Sequence, residues 1–135
     1  MNKRDRQVEV LLASLIECVN IEKVIESLPR GYISVKVISS HTYYYRQWRE
    51  GSKIISSYVP ESYLNIVKQK ITIRKQNEEL LNILTKDYKK AERNVLKNEL
   101  LTSAQISELN AKVRSLEINE TNHEQILEEL KSSIR

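Results

Sequence analysis

The sequence predicts a mainly helical α+β protein: an N-terminal helix, a three-stranded antiparallel meander, and long helices with a coiled-coil pattern. Three observations predict this class. The 135 residues include only two Gly and two Pro, and because these residues mark turns, their scarcity indicates long uninterrupted elements. Most of the seven Tyr and the single Trp fall in one β-prone stretch. Elsewhere, apolar residues recur at spacings of three and four, as they do on helices.

The first helix is predicted from about Asp5 to Leu28. An apolar stripe begins at Val8 and changes phase near Asn20, which indicates a kink or a second buried face. Pro29 ends the helix, because proline disfavours helical backbone at the residue before it. The single cysteine, Cys18, lies in this stripe and is predicted to be buried.

Three short strands follow the first helix. Tyr32–Ile38 alternates and is rich in β-branched residues, Thr42–Arg49 is aromatic, and Lys53–Val59 is again β-prone. Turns are predicted at Ser39-Ser40-His41 and at Glu50-Gly51-Ser52. Short strands joined by short turns favour an antiparallel meander. The expected domain boundaries are therefore 1–59 for the helix and meander, and 60–135 for a helical region.

The second region begins at Pro60, a residue favoured in the first turn of a helix. A long helix is predicted from Glu61 to about Leu101, since this stretch contains no Gly or Pro. Thr102 and Gln105 have the spacing of a capping box, which predicts a new helix and a break near 101–102. One continuous helix is the alternative.

A heptad repeat occupies the C-terminal third. Its apolar positions, predicted to form an oligomer interface, are Ile106, Leu109, Val113, Leu116, Leu127, Leu130 and Ile134. Glu120 and His123 occupy core positions of the same repeat, where they form a register-setting polar layer, a local break, or a pH-sensitive or metal-binding layer. We predict a homo-oligomer, most simply a dimer. The pattern does not decide whether the heptads pair between chains or fold back on the helix of residues 60–100.

Two surfaces could bind a partner. On the meander, aromatic residues alternate with basic ones, a mixture that suits stacking on bases, phosphate contacts or a protein interface. The candidates there are Lys36, Tyr44, Tyr45, Arg46, Trp48, Arg49 and Lys53. Strand alternation allows two outward sets, one with Tyr43, Tyr45, Gln47 and Arg49 and the other with Tyr44, Arg46 and Trp48. The competing interpretation is that these aromatics form a small core.

The second candidate surface is a basic stripe on the long helix, formed by Lys86, Lys90, Arg93 and Lys97. A stripe of this kind can follow a phosphate backbone, although a solvated outer face has the same pattern. The net charge of +4 permits an anionic partner without requiring one.

Several function classes are not supported by any motif. The sequence has no phosphate-binding glycine loop, no nucleophile elbow and no His/Cys cluster with zinc-ligand spacing. We therefore expect a protein that is not an enzyme and binds no cofactor or metal. The charged N-terminus is not followed by a clean apolar run, so we expect a cytoplasmic protein without membrane association.

The stretches 28–34, 42–51 and 53–59 resemble uncharacterised small bacterial proteins that combine a short helix, three strands and a charged coiled coil. This likeness covers about residues 25–95. Three strands followed by a helix are also similar in topology to the arm-type DNA-binding domain of phage integrases, and that resemblance implies a sheet that contacts DNA.

The function expected from these features is a non-catalytic, nucleic-acid-associated or scaffold-type binding protein that oligomerises through its coiled coil. Its partners would be itself and either nucleic acid or a nucleic-acid-handling protein. The alternative is a small phage or mobile-element protein that inhibits or adapts a larger partner, for example a defence nuclease.

Overall fold

A computed structural model describes residues 2–134 as a mainly helical α+β protein, as predicted. The elements in chain order are α1 (Lys3–Glu26), β1 (Tyr32–Ile38), β2 (His41–Glu50), β3 (Lys53–Val59), a 3₁₀ turn (Glu61–Tyr63), α2 (Leu64–Lys97), α3 (Ser103–Ser115) and α4 (His123–Ser133). The strands form one antiparallel sheet in the order β1-β2-β3, which is the predicted meander.

The chain divides into two compact units. The sheet unit comprises residues 24–79, and the helical unit comprises the chain up to Lys23 and from Leu80 onward. These boundaries differ from the predicted 1–59 and 60–135. They differ because α1 and α2 are each continuous helices whose residues are shared between the two units.

The helical unit has a core built from all four helices. Its most deeply buried side chains are Leu11, Leu12, Ile16, Val19, Val95 and Val113. The α1 stripe predicted from Val8 onward is buried here, with Leu12 at 0% exposure. Cys18 is also buried, as predicted, and burial raises the pKa of its thiol.

The predicted heptad repeat of residues 106–134 is not one continuous helix. Helix α3 ends where Leu116 adopts extended backbone, and α4 begins only at His123. Asparagine side chains stabilise the intervening loop: Asn119 Oδ1 accepts from the backbone N–H of Thr121 and Asn122, and Asn122 Nδ2 donates to the Glu117 carbonyl. Of the alternatives for the polar positions, the structure shows the local break.

The apolar heptad residues lie in the core of the same chain. Ile106, Leu109, Val113, Leu127 and Leu130 are buried in it, and Leu116 and Ile134 pack against it. Polar contacts accompany this packing. Lys131 Nζ lies 3.2 Å from the Glu9 carboxylate of α1, and Lys23 Nζ donates to the Leu116 carbonyl at 2.8 Å. The apolar heptad residues are therefore buried without a second chain, and we do not propose an oligomer interface at them.

The end of α2 and the start of α3 are set by local hydrogen bonds. The capping box is present, since Thr102 accepts from the Gln105 N–H and the Gln105 side chain accepts from the Thr102 N–H. Helix α2 ends earlier than the predicted Leu101. Leu100 N–H bonds to the Val95 carbonyl and Glu99 N–H to the Leu96 carbonyl, the pattern of a Schellman motif. This motif puts Glu99 at φ 55°.

Replacing Glu99 with glycine is expected to stabilise the protein by about 0.5–1 kcal/mol. The left-handed backbone costs a side-chain-bearing residue about 1–2 kcal/mol, and glycine avoids that cost at the expense of chain entropy. Glu79→Gly, at an exposed interior position of α2, is the matched control and should destabilise by about 1 kcal/mol. Urea unfolding followed by circular dichroism measures both. A Glu99→Gly variant that loses as much stability as the control would contradict the strain argument.

Candidate nucleic-acid interface

The register of the sheet decides which strand residues share a face. Tyr45 pairs with Ser34 on one side and with Tyr58 on the other, and directly paired residues in antiparallel strands point to the same side. Two faces follow. The tyrosine face consists of Tyr32, Ser34, Lys36, Ile38, His41, Tyr43, Tyr45, Gln47, Arg49, Ile54, Ser56 and Tyr58. The tryptophan face consists of Ile33, Val35, Val37, Thr42, Tyr44, Arg46, Trp48, Glu50, Lys53, Ile55, Ser57 and Val59.

The tyrosine face is organised around Tyr45. Its ring meets that of Tyr58 edge to face with centroids 5.9 Å apart, and Lys36 Nζ lies 4.8 Å from the Tyr45 centroid. Tyr32 donates its hydroxyl hydrogen to Gln47 Oε1 at 2.9 Å. Tyr32 and Tyr58 are both more than half exposed. The result is an open surface of neighbouring aromatic rings, with a lysine over one of them.

The charge of the tyrosine face has one sign. Lys36 and Arg49 lie on it, and none of its strand residues is Asp or Glu. Within residues 2–134, neither basic side chain forms an ion pair. An anionic ligand would therefore meet no carboxylate among the strand residues of this face; the acidic side chain of Glu61, in the 3₁₀ turn, lines an open pocket with His41, Tyr43 and Tyr58.

The tryptophan face packs within the sheet unit. Arg46 stacks on Trp48, with the guanidinium carbon 3.8 Å from the ring centroid, and its Nη1 donates to the Arg30 carbonyl at 2.7 Å. Trp48 Nε1 donates to Glu50 Oε1 at 3.0 Å. Val59 is 5% exposed. These contacts favour the first of the two outward sets, the one with Tyr43, Tyr45, Gln47 and Arg49.

The covered part of the tryptophan face is limited. Val35 and Val37, which share that face, are 57% and 69% exposed. Ile38, on the opposite face, is 53% exposed. The strand ends around the turn at Ser39-Ser40 are thus open on both sides, and the buried apolar residues of this unit, Ile25, Val59, Leu64 and Ile71, lie elsewhere in the chain.

The predicted meander residues are divided between the two faces. Lys36, Tyr45 and Arg49 lie on the tyrosine face, whereas Tyr44, Arg46, Trp48 and Lys53 lie on the other. Tyr32, Tyr43 and Tyr58 also lie on the tyrosine face, although they are not among the seven meander candidates and only Tyr43 belongs to one of the two possible outward sets. Strand alternation could have identified them from the sequence. Once the turn at Ser39-Ser40 sets which residues pair, all three fall on the same face as Tyr45.

Arg74 has a structural role in the sheet unit. Its Nη1 donates to the carbonyls of Ile25 and Leu28 at 2.9 and 2.7 Å, and its Nε donates to Glu78 at 2.8 Å. The guanidinium thus satisfies carbonyl groups at and just beyond the C-terminal end of α1, where a positive charge is favourable.

The basic stripe of α2 lies in the helical unit. Lys86, Lys90, Arg93 and Lys97 are all exposed, while Ala91 and Val95 on the same helix are buried in the core. No ion pair involves these four side chains in the part of the chain that the structure describes. Their exposure is compatible both with a phosphate contact and with a solvated helix face.

Comparison with known proteins identifies the family of the chain. Residues 1–69, half of the chain, match a domain of unknown function, DUF6788. The chain belongs to the DUF6788 family. No curated protein matches the chain, and no solved structure does.

The DUF6788 match contains α1, the whole sheet and the start of α2. The tyrosine face is therefore entirely a feature of the DUF6788 part of the chain. The basic stripe and the heptad residues lie beyond it. Across residues 2–134, no helix combines the length and apolar character needed to cross a bilayer.

Proposed function

We propose that this protein binds single-stranded nucleic acid through the tyrosine face and acts by binding rather than catalysis. One observation carries the proposal: four tyrosines, Lys36 and Arg49 share one sheet face that has no carboxylate among its strand residues. Aromatic rings stack on bases whatever their identity, and basic side chains neutralise phosphates. The combination is typical of surfaces that bind single strands.

The geometry supports a single strand with unpaired bases. Stacking requires the flat surface of a base, and in a duplex those surfaces are covered by the neighbouring base pairs. Tyr32 and Tyr58, more than half exposed at the two outer strands, would offer rings on either side of Tyr45. Lys36 beside Tyr45 supplies positive charge next to the stacking site.

The binding test uses fluorescence anisotropy with labelled single-stranded DNA, single-stranded RNA and duplex DNA at about 50 mM salt, where phosphate contacts are strong. Tyr45→Ala and Tyr58→Ala should each weaken single-strand binding by about 5- to 150-fold, the equivalent of about 1–3 kcal/mol per stacked base. Tyr63→Ala is the matched control, because Tyr63 is 58% exposed but lies in the 3₁₀ turn and not on the face.

The electrostatic part of the proposal has its own measurement. Lys36→Gln and Arg49→Gln should each reduce the log–log salt slope by about 0.7, the value for one phosphate contact on a single strand. Lys90→Gln tests the basic stripe in the same assay. If the wild-type protein binds none of the nucleic acids, the proposal is wrong. If only Lys90→Gln weakens binding, the site is the stripe and not the sheet.

A protein partner is the second candidate, favoured by a different observation. Val35, Val37 and Ile38 are more than half exposed around the first turn, and aliphatic side chains are not stacking groups. Exposed apolar residues on a sheet fit an inhibitor or adaptor that docks on a larger protein. Val37→Asp separates the two functions. If the tyrosine face binds nucleic acid, the variant should keep an affinity for nucleic acid within about 2-fold of the wild type. If the exposed aliphatic residues bind a protein, the variant should no longer capture that protein from nuclease-treated extract.

A further inference from the structure

The sheet unit contains a second candidate site, on the tryptophan face. An open groove of about 400 Å³ is lined by three arginines, Arg30, Arg46 and Arg74, by Trp48, and by two carboxylates, Glu26 and Glu50. Three guanidinium groups therefore meet around one tryptophan. The tyrosine face lies on the other side of the sheet and contributes none of these residues.

The N–H donors of these three arginines differ in how many hydrogen-bond acceptors they have. Arg74 donates to two carbonyls and to Glu78, and Arg30 pairs with Glu50 at 3.4 Å. In the described part of the chain, Arg46 donates only through Nη1, to the Arg30 carbonyl. A guanidinium has five N–H donors in a planar fork, and the Nε and Nη2 groups of Arg46 have no hydrogen-bond partner within residues 2–134.

The charges around Arg46 favour the binding of an anion. Burial lowers the pKa of Arg46, and the positive charges of Arg30 and Arg74 lower that pKa further. Two carboxylates also line the groove: Glu50 is engaged by Arg30 and by the Trp48 N–H, and Glu26 forms no ion pair within residues 2–134, so the three guanidinium groups outnumber the carboxylates. An anionic ligand that entered the groove would be attracted by all three guanidinium groups and would use the free donors of Arg46.

We propose that this groove binds a phosphate monoester group, held by the guanidinium fork of Arg46 with Arg30 and Arg74 supplying further positive charge. A phosphate monoester matches the site because its tetrahedral oxygens accept the two parallel bonds that arginine offers. It also carries close to two negative charges at neutral pH. The monoester comes from a free mononucleotide or from the phosphorylated end of a nucleic-acid strand, and inorganic phosphate has the same tetrahedral oxygens and similar charge without the ester. The proposal is independent of the tyrosine face.

The test uses Trp48, the single tryptophan of the chain, as a reporter inside the groove. Intrinsic fluorescence is titrated with inorganic phosphate, with AMP, and with two oligonucleotides of one sequence that carry a 5′-phosphate or a 5′-hydroxyl. We expect a saturable change below about 10 mM ligand. A response to phosphate and AMP but not to the oligonucleotides would identify the ligand as a small free molecule. Tighter binding of the 5′-phosphorylated strand than of its 5′-hydroxyl counterpart would identify the ligand as a strand end.

Variants connect that signal to the groove. Arg46→Gln should weaken phosphate binding at least 10-fold, and Arg46→Lys, which keeps the charge but loses the planar fork, should weaken it less. Calorimetry serves as the second readout, because Arg46 stacks on Trp48 and its loss alters the baseline fluorescence. Arg49→Gln and Tyr45→Ala, on the tyrosine face, should leave phosphate binding unchanged even if they abolish strand binding.

Three results would overturn the proposal. The first is the absence of a saturable response to any of the phosphate ligands by either readout. The second is an equal response to chloride at matched ionic strength, which would show screening instead of a site. The third is phosphate binding by Arg46→Gln at wild-type affinity.

Discussion

Replacing Gly31 with alanine is expected to destabilise the sheet unit by about 3–5 kcal/mol. Gly31 has φ +102°, where a residue with a side chain is strained by about 1–3 kcal/mol. A Cβ at this position would also overlap the backbone carbonyl of Gln47 and approach the Cβ of Trp48. Since the obstacle is backbone, the β1–β2 pairing must shift to admit the methyl group. Urea unfolding monitored by Trp48 fluorescence measures the effect.

Gly51 provides the matched control for this substitution. It also has a positive φ, +59°, but a Cβ there would meet none of the atoms of residues 2–134 within 4 Å. Gly51→Ala should therefore cost only the strain of the left-handed backbone, about 1–2 kcal/mol. Equal losses in the two variants would show that the close approach of Gly31 to Gln47 does not exist in solution.

Leu109→Ala is expected to destabilise the helical unit by about 2–5 kcal/mol, the usual cost of truncating a buried leucine. Leu109 is 3% exposed and lies in the core formed with α1, α2 and α4. Because this core belongs to one chain, the unfolding midpoint of the wild-type protein should be independent of protein concentration. Thermal or urea unfolding followed by circular dichroism at concentrations spanning about 100-fold measures both quantities.

Ile83→Ala is the control for Leu109→Ala, since Ile83 is 59% exposed on α2 and its truncation should cost less than about 0.5 kcal/mol. Light scattering on the same samples reports the oligomeric state. A midpoint that rises with concentration, together with a dimeric mass that Leu109→Ala abolishes, would contradict the intrachain core. It would show that the heptads pair between chains, one of the two arrangements that the sequence pattern allows.

Features that depend on neighbouring residues could be predicted from the sequence. The capping box at Thr102 and Gln105 could be predicted because its hydrogen bonds join residues three positions apart. The meander could be predicted for a similar reason: β-branched and aromatic residues alternate between short turns, and consecutive strands pair. The heptad pattern correctly indicated buried positions such as Leu109 and Val113, but a stripe of apolar residues does not specify what covers it.

The candidate site was only half predictable, because alternation in a strand defines two faces without assigning either to solvent. All seven meander candidates are compatible with the sequence, but Lys36, Tyr45 and Arg49 lie on one face and Arg46 and Trp48 on the other. What indicates that the second face is the covered one is the hydrogen bond of Arg46 to the Arg30 carbonyl and the burial of Val59. Neither contact has a local sequence signal.

The sequence by itself determined the fold class, the order of the elements, the meander and the start of α3, because turn residues, caps and periodicity act over a few positions. Tertiary structure alone decided which sheet face carries the open tyrosines, that Arg46 and Trp48 line a separate groove, and that the heptad residues pack against α1 and α2. Those outcomes depend on residues far apart in the chain, such as Glu9 with Lys131 and Ile25 with Arg74. Their proximity exists only once the apolar surfaces of distant segments are buried together.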